Sequence, residues 1–138
     1  MDLYAFKIYM LDVGLLLAMT DLDASVIIDG NRIFTEFKGA LTEQYVLQQM
    51  IAELGVEPYY YTTANSTGEI DFMLQAPGSV IPVEVKAEEN LRAKSLRAFC
   101  EKYHPKHEER TSMSDLREQD WMTNIPLYNI DRMGEYLK

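Results

Sequence analysis

A single cysteine, Cys100, leaves this chain without an internal disulfide, so its fold has to rest on packing and hydrogen bonds. A basic surplus is missing too: 13 Lys and Arg stand against 22 Asp and Glu, for a formal net charge of −9. That balance excludes a surface that binds nucleic acid everywhere, because phosphate affinity comes from lysine and arginine displacing counterions. Any nucleic-acid contact has to be local or assisted by a partner. There is no long apolar run. The most apolar stretch near the N-terminus, residues 8–19, is interrupted by Asp12 and falls short of the ~20 residues that span a bilayer, so no membrane association is expected. No segment has the charged start, apolar middle and small-residue cleavage site of a signal peptide, and a reducing cytoplasm is the expected location. The seven glycines are spread singly and no G-x-x-x-x-G-K-[ST] occurs, so no residue here is assigned to ATP binding. Repeats, low-complexity tracts and long linkers are absent as well. What remains is 138 residues, 47% of them hydrophobic, enough for one compact domain with its own core.

Residues 7–10 read as a short strand, and Asp12 as the cap of a helix that ends at Thr20–Asp23. Residues 26–34 carry hairpin chemistry in Asp29-Gly30-Asn31, with a loop and turn as the alternative. From Gly39 to Leu54, apolar residues recur at Leu41, Tyr45, Leu47, Met50, Ile51 and Leu54, close to a 3.6-residue period, and Gly55 stops the helix. Residues 56–63 are β-rich, with their proline near the start, and 65–68 are turn-like. At Gly68 the period changes to two. Ile70, Phe72 and Leu74 are expected on one face, and Glu69, Asp71 and Met73 on the other. Residues 76–79 turn the chain into a second strand, where Val83 and Val85 oppose Glu84 and Lys86. A helix over residues 93–103, with Pro105 barring its extension, a strand over 109–114, a polar segment, strand or extended chain over 121–130 and a short helix over 131–137 complete the pattern. The expectation is an α+β fold of mixed α/β layers: helix, three strands, helix, strand, with extra pieces at both ends.

The carboxylates inside the hairpin admit two readings. An antiparallel sheet often has one wet face, and Glu or Lys alternating with Val is what such a face looks like. Alternatively, Asp71 and Glu84 come from paired strands and can share one face, with Lys86 beside them and Glu43 reaching in from the preceding helix. A hard divalent cation takes oxygen ligands of this kind. The order of Glu43, Asp71 and then Glu84-Val85-Lys86 favours the second reading.

That order resembles the PD-(D/E)XK nuclease superfamily, whose restriction-endonuclease-like core runs helix, three strands, helix, strand. Asp71 matches its aspartate, Glu84 and Lys86 its (D/E)-x-K, and Glu43 its helix-borne glutamate, while Ile70 stands where the motif has proline. A wider likeness runs through KIYMLDVGLL, GALTEQYVLQQM, YYYTTANSTGEIDFML, IPVEVKAEENLRAKSLRAF and IPLYNI. These segments resemble the C-terminal domain, of unknown function, in a group of prokaryotic AAA-type ATPases. The resemblance implies that the chain is a single nuclease-like domain and the C-terminal part of a longer ATPase. It also implies hydrolysis of a DNA phosphodiester with Mg²⁺ or Mn²⁺ held by Asp71, Glu84, Glu43 and the Val85 carbonyl. Lys86 would position the attacking water and Lys94 would contact phosphate, whereas Ser95 and Arg97 read better as ordinary surface residues. The alternative is a non-catalytic module that binds nucleic acid or protein for its ATPase.

Other features point to structure. Pro105 separates His104 from His107, so a surface loop is expected rather than a ligand pair. Of Tyr59, Tyr60 and Tyr61, one or two rings are expected in the core. Cys100 and Trp121 are expected to pack internally, Cys100 lacking the basic partner a reactive thiolate needs.

Overall fold

The computed structural model describes residues 6–20, 32–63, 68–88 and 93–136, the side chains of 32–36 excepted. Asp12 behaves as a cap. Its carboxylate accepts the Leu15 N–H at 2.8 Å and starts α1 (Val13–Met19), which Thr20 closes; no residue of α1 is buried. Residues 7–10 do not form the expected strand. The side-chain amide of Gln44 accepts the Met10 N–H at 2.8 Å and donates to the Met10 carbonyl at 2.9 Å, so this backbone is held by a helix side chain and joins no ladder.

The first long helix, α2 (Arg32–Gln49), begins well before Gly39. Residues 26–31 of the expected hairpin lie outside the described residues, and 32–34 are helical. The helix widens into a π turn over Met50–Leu54 that leaves Ile51 outward, and it ends at Gly55, whose φ of 61° is the left-handed conformation glycine adopts without penalty. The strands are β1 (Tyr59–Thr62), β2 (Glu69–Ala76), β3 (Ser79–Val85), β4 (Glu109–Ser112), β5 (Arg117–Glu118) and β6 (Thr123–Pro126). Helix α3 (Lys94–Tyr103) lies between β3 and β4; a 3₁₀ turn over Leu127–Arg132 and α4 (Met133–Tyr136) follow β6. The strand expected over 109–114 thus stops at Ser112. The polar segment after it supplies β5, and the 121–130 stretch divides into β6 and the 3₁₀ turn.

All six strands form one sheet in the order β1-β2-β3-β4-β6-β5. The pairs β1–β2 and β2–β3 are antiparallel, β3–β4 and β4–β6 parallel, and β5–β6 antiparallel. Val46 and Leu47 of α2 and Met50 of the π turn pack with Phe72, Leu74, Val83 and Val85, and the C-terminal Ile130 and Met133 join them. A second cluster combines Leu96, Phe99 and Cys100 of α3 with Ile70 and Met122, and Trp121 packs against it. The chain is a mixed α+β fold with four α-helices and a six-stranded mixed sheet among the described residues.

Two consequences differ from strict alternation. Because β3 is central and covered on both sheet faces from Ile81 to Val85, that stretch has no wet face, and Glu84 is only 5% exposed. Second, Tyr59 lies opposite Met73 but Tyr61 opposite Ile70, so three steps along β2 answer two along β1. This is a β-bulge, and it turns the strand by one residue. Ile70 therefore enters the α3 cluster with Met73, while Phe72 and Leu74 enter the α2 cluster. The expected common face of Ile70, Phe72 and Leu74 is broken at the residue between them, Asp71.

Candidate functional site

Asp71 sits where β2 parts from β3. The paired positions end at Phe72 opposite Val83; beyond them the Asp71 carboxylate accepts the Val85 N–H at 2.7 Å. A side chain thus takes the role of the missing strand carbonyl. Asp71 is pushed up to about 7, first by burial and then by the charges of Glu43 and Glu84; the Val85 N–H and Lys7 pull the other way. Glu43 from α2, Asp71 from the bulge and Glu84 from β3 therefore interact as one acidic group.

Glu84 is the most deeply buried of the three. One of its oxygens lies 2.5 Å from the Lys86 ammonium, which places Glu84 and Lys86 on the same side, as the alternation predicts. The other oxygen is buried without a hydrogen-bond partner. Glu84 stands opposite Arg110 of β4 in the parallel register. The fully buried Arg110 guanidinium donates through Nε to Asn124 Oδ1 at 2.8 Å, and the same oxygen accepts Ser112 Oγ at 2.7 Å. Burial lowers the pKa of Arg110, and the charge of Glu84 opposes that shift, so Arg110 is an electrostatic neighbour of the site.

Glu43 is held by residues the sequence gives little reason to place there. The Lys7 ammonium lies 2.8 Å from Glu43, 2.5 Å from Glu69 and 3.8 Å from Asp71, and the Tyr9 hydroxyl donates to the same Glu43 oxygen. Their spacing in an extended, otherwise apolar segment, K-x-Y, is the one signal in the sequence. It aims both side chains the same way.

Lys94 lines a neighbouring cleft of about 260 Å³ together with Ser95, Lys102, Tyr61 and Tyr103; Glu69 borders both this cleft and the one beside Glu43. Arg97 is directed elsewhere. Its guanidinium lies over the Trp121 ring at 5.4 Å and 3.6 Å from Glu101. His104 takes a left-handed conformation at the end of α3 and is exposed. Tyr61 packs edge-on against Phe99, whereas Tyr59 is exposed. Buried Cys100 is pushed up to about 12 by burial and by Glu108, which removes it as a nucleophile at neutral pH.

The donors near Asp71 are carboxylate oxygens, the type that Mg²⁺ and Mn²⁺ take. A buried, unpartnered Glu84 oxygen and like charges crowding Asp71 both fit a cation. The set is not drawn together around one point: among the described residues no three His, Cys, Asp or Glu side chains stand arranged to hold a metal ion. Nor is any helix among them long and apolar enough to cross a membrane. The family model described as "Domain of unknown function (DUF4143)" matches residues 38–130, from within α2 to the 3₁₀ turn, and so spans every residue of the acidic group. No curated protein and no solved structure matches the chain.

Proposed function

The chain belongs to the DUF4143 family, and from that premise we propose that it is a PD-(D/E)XK-like nuclease domain. It hydrolyses DNA phosphodiesters with Mg²⁺ or Mn²⁺ in the service of an AAA-type ATPase domain. The family description names no activity, so the reading rests on the site. The observation that carries it is the buried, unpartnered Glu84 oxygen beside Asp71, with Lys86 at the other Glu84 oxygen.

A divalent ion bound there would supply charge for a phosphate oxygen and lower the pKa of a water. Asp71, Glu84 and Glu43 would hold it, with the Val85 carbonyl, where β2 parts from β3. Lys86, anchored on Glu84, orients the attacking water by its N–H donors and stabilises negative charge as it develops. Lys94, in the adjoining cleft, holds a neighbouring phosphate.

Labelled duplex DNA, single-stranded DNA and RNA incubated with Mn²⁺ test this reading. The wild-type chain is expected to cut at least one of them, and Asp71→Asn and Lys86→Ala to lose at least ~100-fold in rate with unchanged circular dichroism. Cleavage that survives both substitutions rejects the assignment. So does the absence of any wild-type cleavage even with the ATPase domain present.

The net charge of −9 favours a second reading, a non-catalytic module that docks on its ATPase or another protein. Capture of the ATPase unaffected by Glu84→Ala, without cleavage, is its signature.

A further inference from the structure

The segment 6–10 crosses the acidic group at close range, and it does so with a fixed positive charge. Lys7 reaches carboxylates from two elements, Glu43 on α2 and Glu69 and Asp71 on β2, at 2.8, 2.5 and 3.8 Å. Its ammonium also lies over the Tyr60 ring, 5.8 Å from the centroid. Three residues on, the segment is tethered by Gln44, itself only 2% exposed, through both backbone polar groups of Met10. The side chain is 21% exposed, so this is a partly desolvated contact rather than a loose surface pair. Tyr9 adds a donated hydrogen bond to the same Glu43 oxygen and a ring contact with Phe72 at 6.0 Å.

Two of the three acids assigned to a metal are therefore engaged by Lys7, while the third, Glu84, keeps an unpartnered oxygen. We propose that Lys7 is a built-in counter-cation that competes with the divalent ion: it draws Glu43 and Asp71 towards Glu69, and loading of the site requires its ammonium to withdraw. The contact is autoinhibitory, and it rests on the metal-site reading above. It also accounts for acids that interact electrostatically without being gathered around one point. Lys7 and the ion would draw on the same Glu43 and Asp71 oxygens, and their like charges repel, so each weakens the hold of the other.

Mn²⁺ titration of the 138-residue chain, read by the electron paramagnetic resonance of free Mn²⁺, separates the possibilities. Lys7→Met keeps the stem and removes the charge; it is expected to bind Mn²⁺ about tenfold more tightly than wild type. Lys7→Arg, which keeps the charge, is expected to stay within about twofold of wild type. Asp71→Asn is expected to abolish binding in both the wild-type and the Lys7→Met background. Binding that depends on Asp71 but is equal or weaker in Lys7→Met overturns the competition and leaves the metal site standing. Absence of any Asp71-dependent binding in every variant overturns both. Should Lys7→Met lose its native circular dichroism, acetylation of the wild-type amines by mass spectrometry decides. Mn²⁺ is expected to speed modification of Lys7 severalfold relative to Lys38, and an unchanged ratio overturns the proposal.

Discussion

Glu109 shows what a single buried acid does to this protein. It lies on β4, 2% exposed, with one oxygen that has no hydrogen-bond partner, and it is pushed up to about 8, first by burial and then by the charge of Glu108. The folded state therefore holds this proton over a range where the unfolded chain, near pH 4.3, has already lost it. Stability is expected to fall as pH rises from about 4 to about 8, by on the order of 5 kcal/mol from this group, and to level off above. Thermal melts at pH 5 and pH 8 check it: Glu109→Gln is expected to flatten the decline relative to wild type. Cys100 gives a kinetic counterpart. Its thiol, raised to about 12, is expected to react with Ellman's reagent at pH 8 at least ~100-fold more slowly in the folded than in the urea-unfolded chain. That inertness is legible in the sequence, where Leu96, Phe99 and Cys100 share a helical stripe. The state of Glu109 is not, since ERTS reads as an ordinary polar strand until two covered faces bury all of it.

Among the elements, α2 from Gly39 on and the β2–β3 hairpin are the most readable, because each carries its own period there, whereas residues 32–34 of α2 lie in the stretch that reads as a hairpin or loop. Alternation fails at one place. The bulge at Asp71 depends on how β1 pairs with β2, and no local pattern within EIDFML encodes the extra residue. Residues 7–10 before α1 read as a strand for a related reason: their backbone partner is the amide of Gln44, more than thirty residues away. Removing that partner is expected to free residues 7–10 without melting the sheet. Gln44→Ala should cost about 1–2 kcal/mol, from two lost hydrogen bonds and the packing of a buried side chain. Hydrogen exchange provides the check: amides 9–16 are expected to exchange at least ~10-fold faster, with β2 and β3 retaining their protection. Loss of protection throughout would show instead that Gln44 supports the whole core.

For the molecule as a whole, composition and segment order made the α+β class legible. The sheet order did not follow, because β4 and β6 pair in parallel across the excursion that contains β5, and parallel partners are chosen by contacts far apart in sequence. The charge balance is likewise a whole-molecule property with a local exception, the Lys94 and Lys102 cleft. If the nuclease reading holds, DNA affinity is expected to depend only shallowly on salt, with a slope of log K against log salt of about −2. Lys94→Ala is expected to reduce that slope by about 1 in fluorescence anisotropy titrations. The same sheet order decides how the protein meets copies of itself. One margin is β5, two exposed residues of opposite charge, and the other is β1, four residues whose pairing is interrupted by the register slip. Neither margin offers a long flat template for an incoming strand, so a sheet with a fully buried centre is guarded at its borders against fibrous growth.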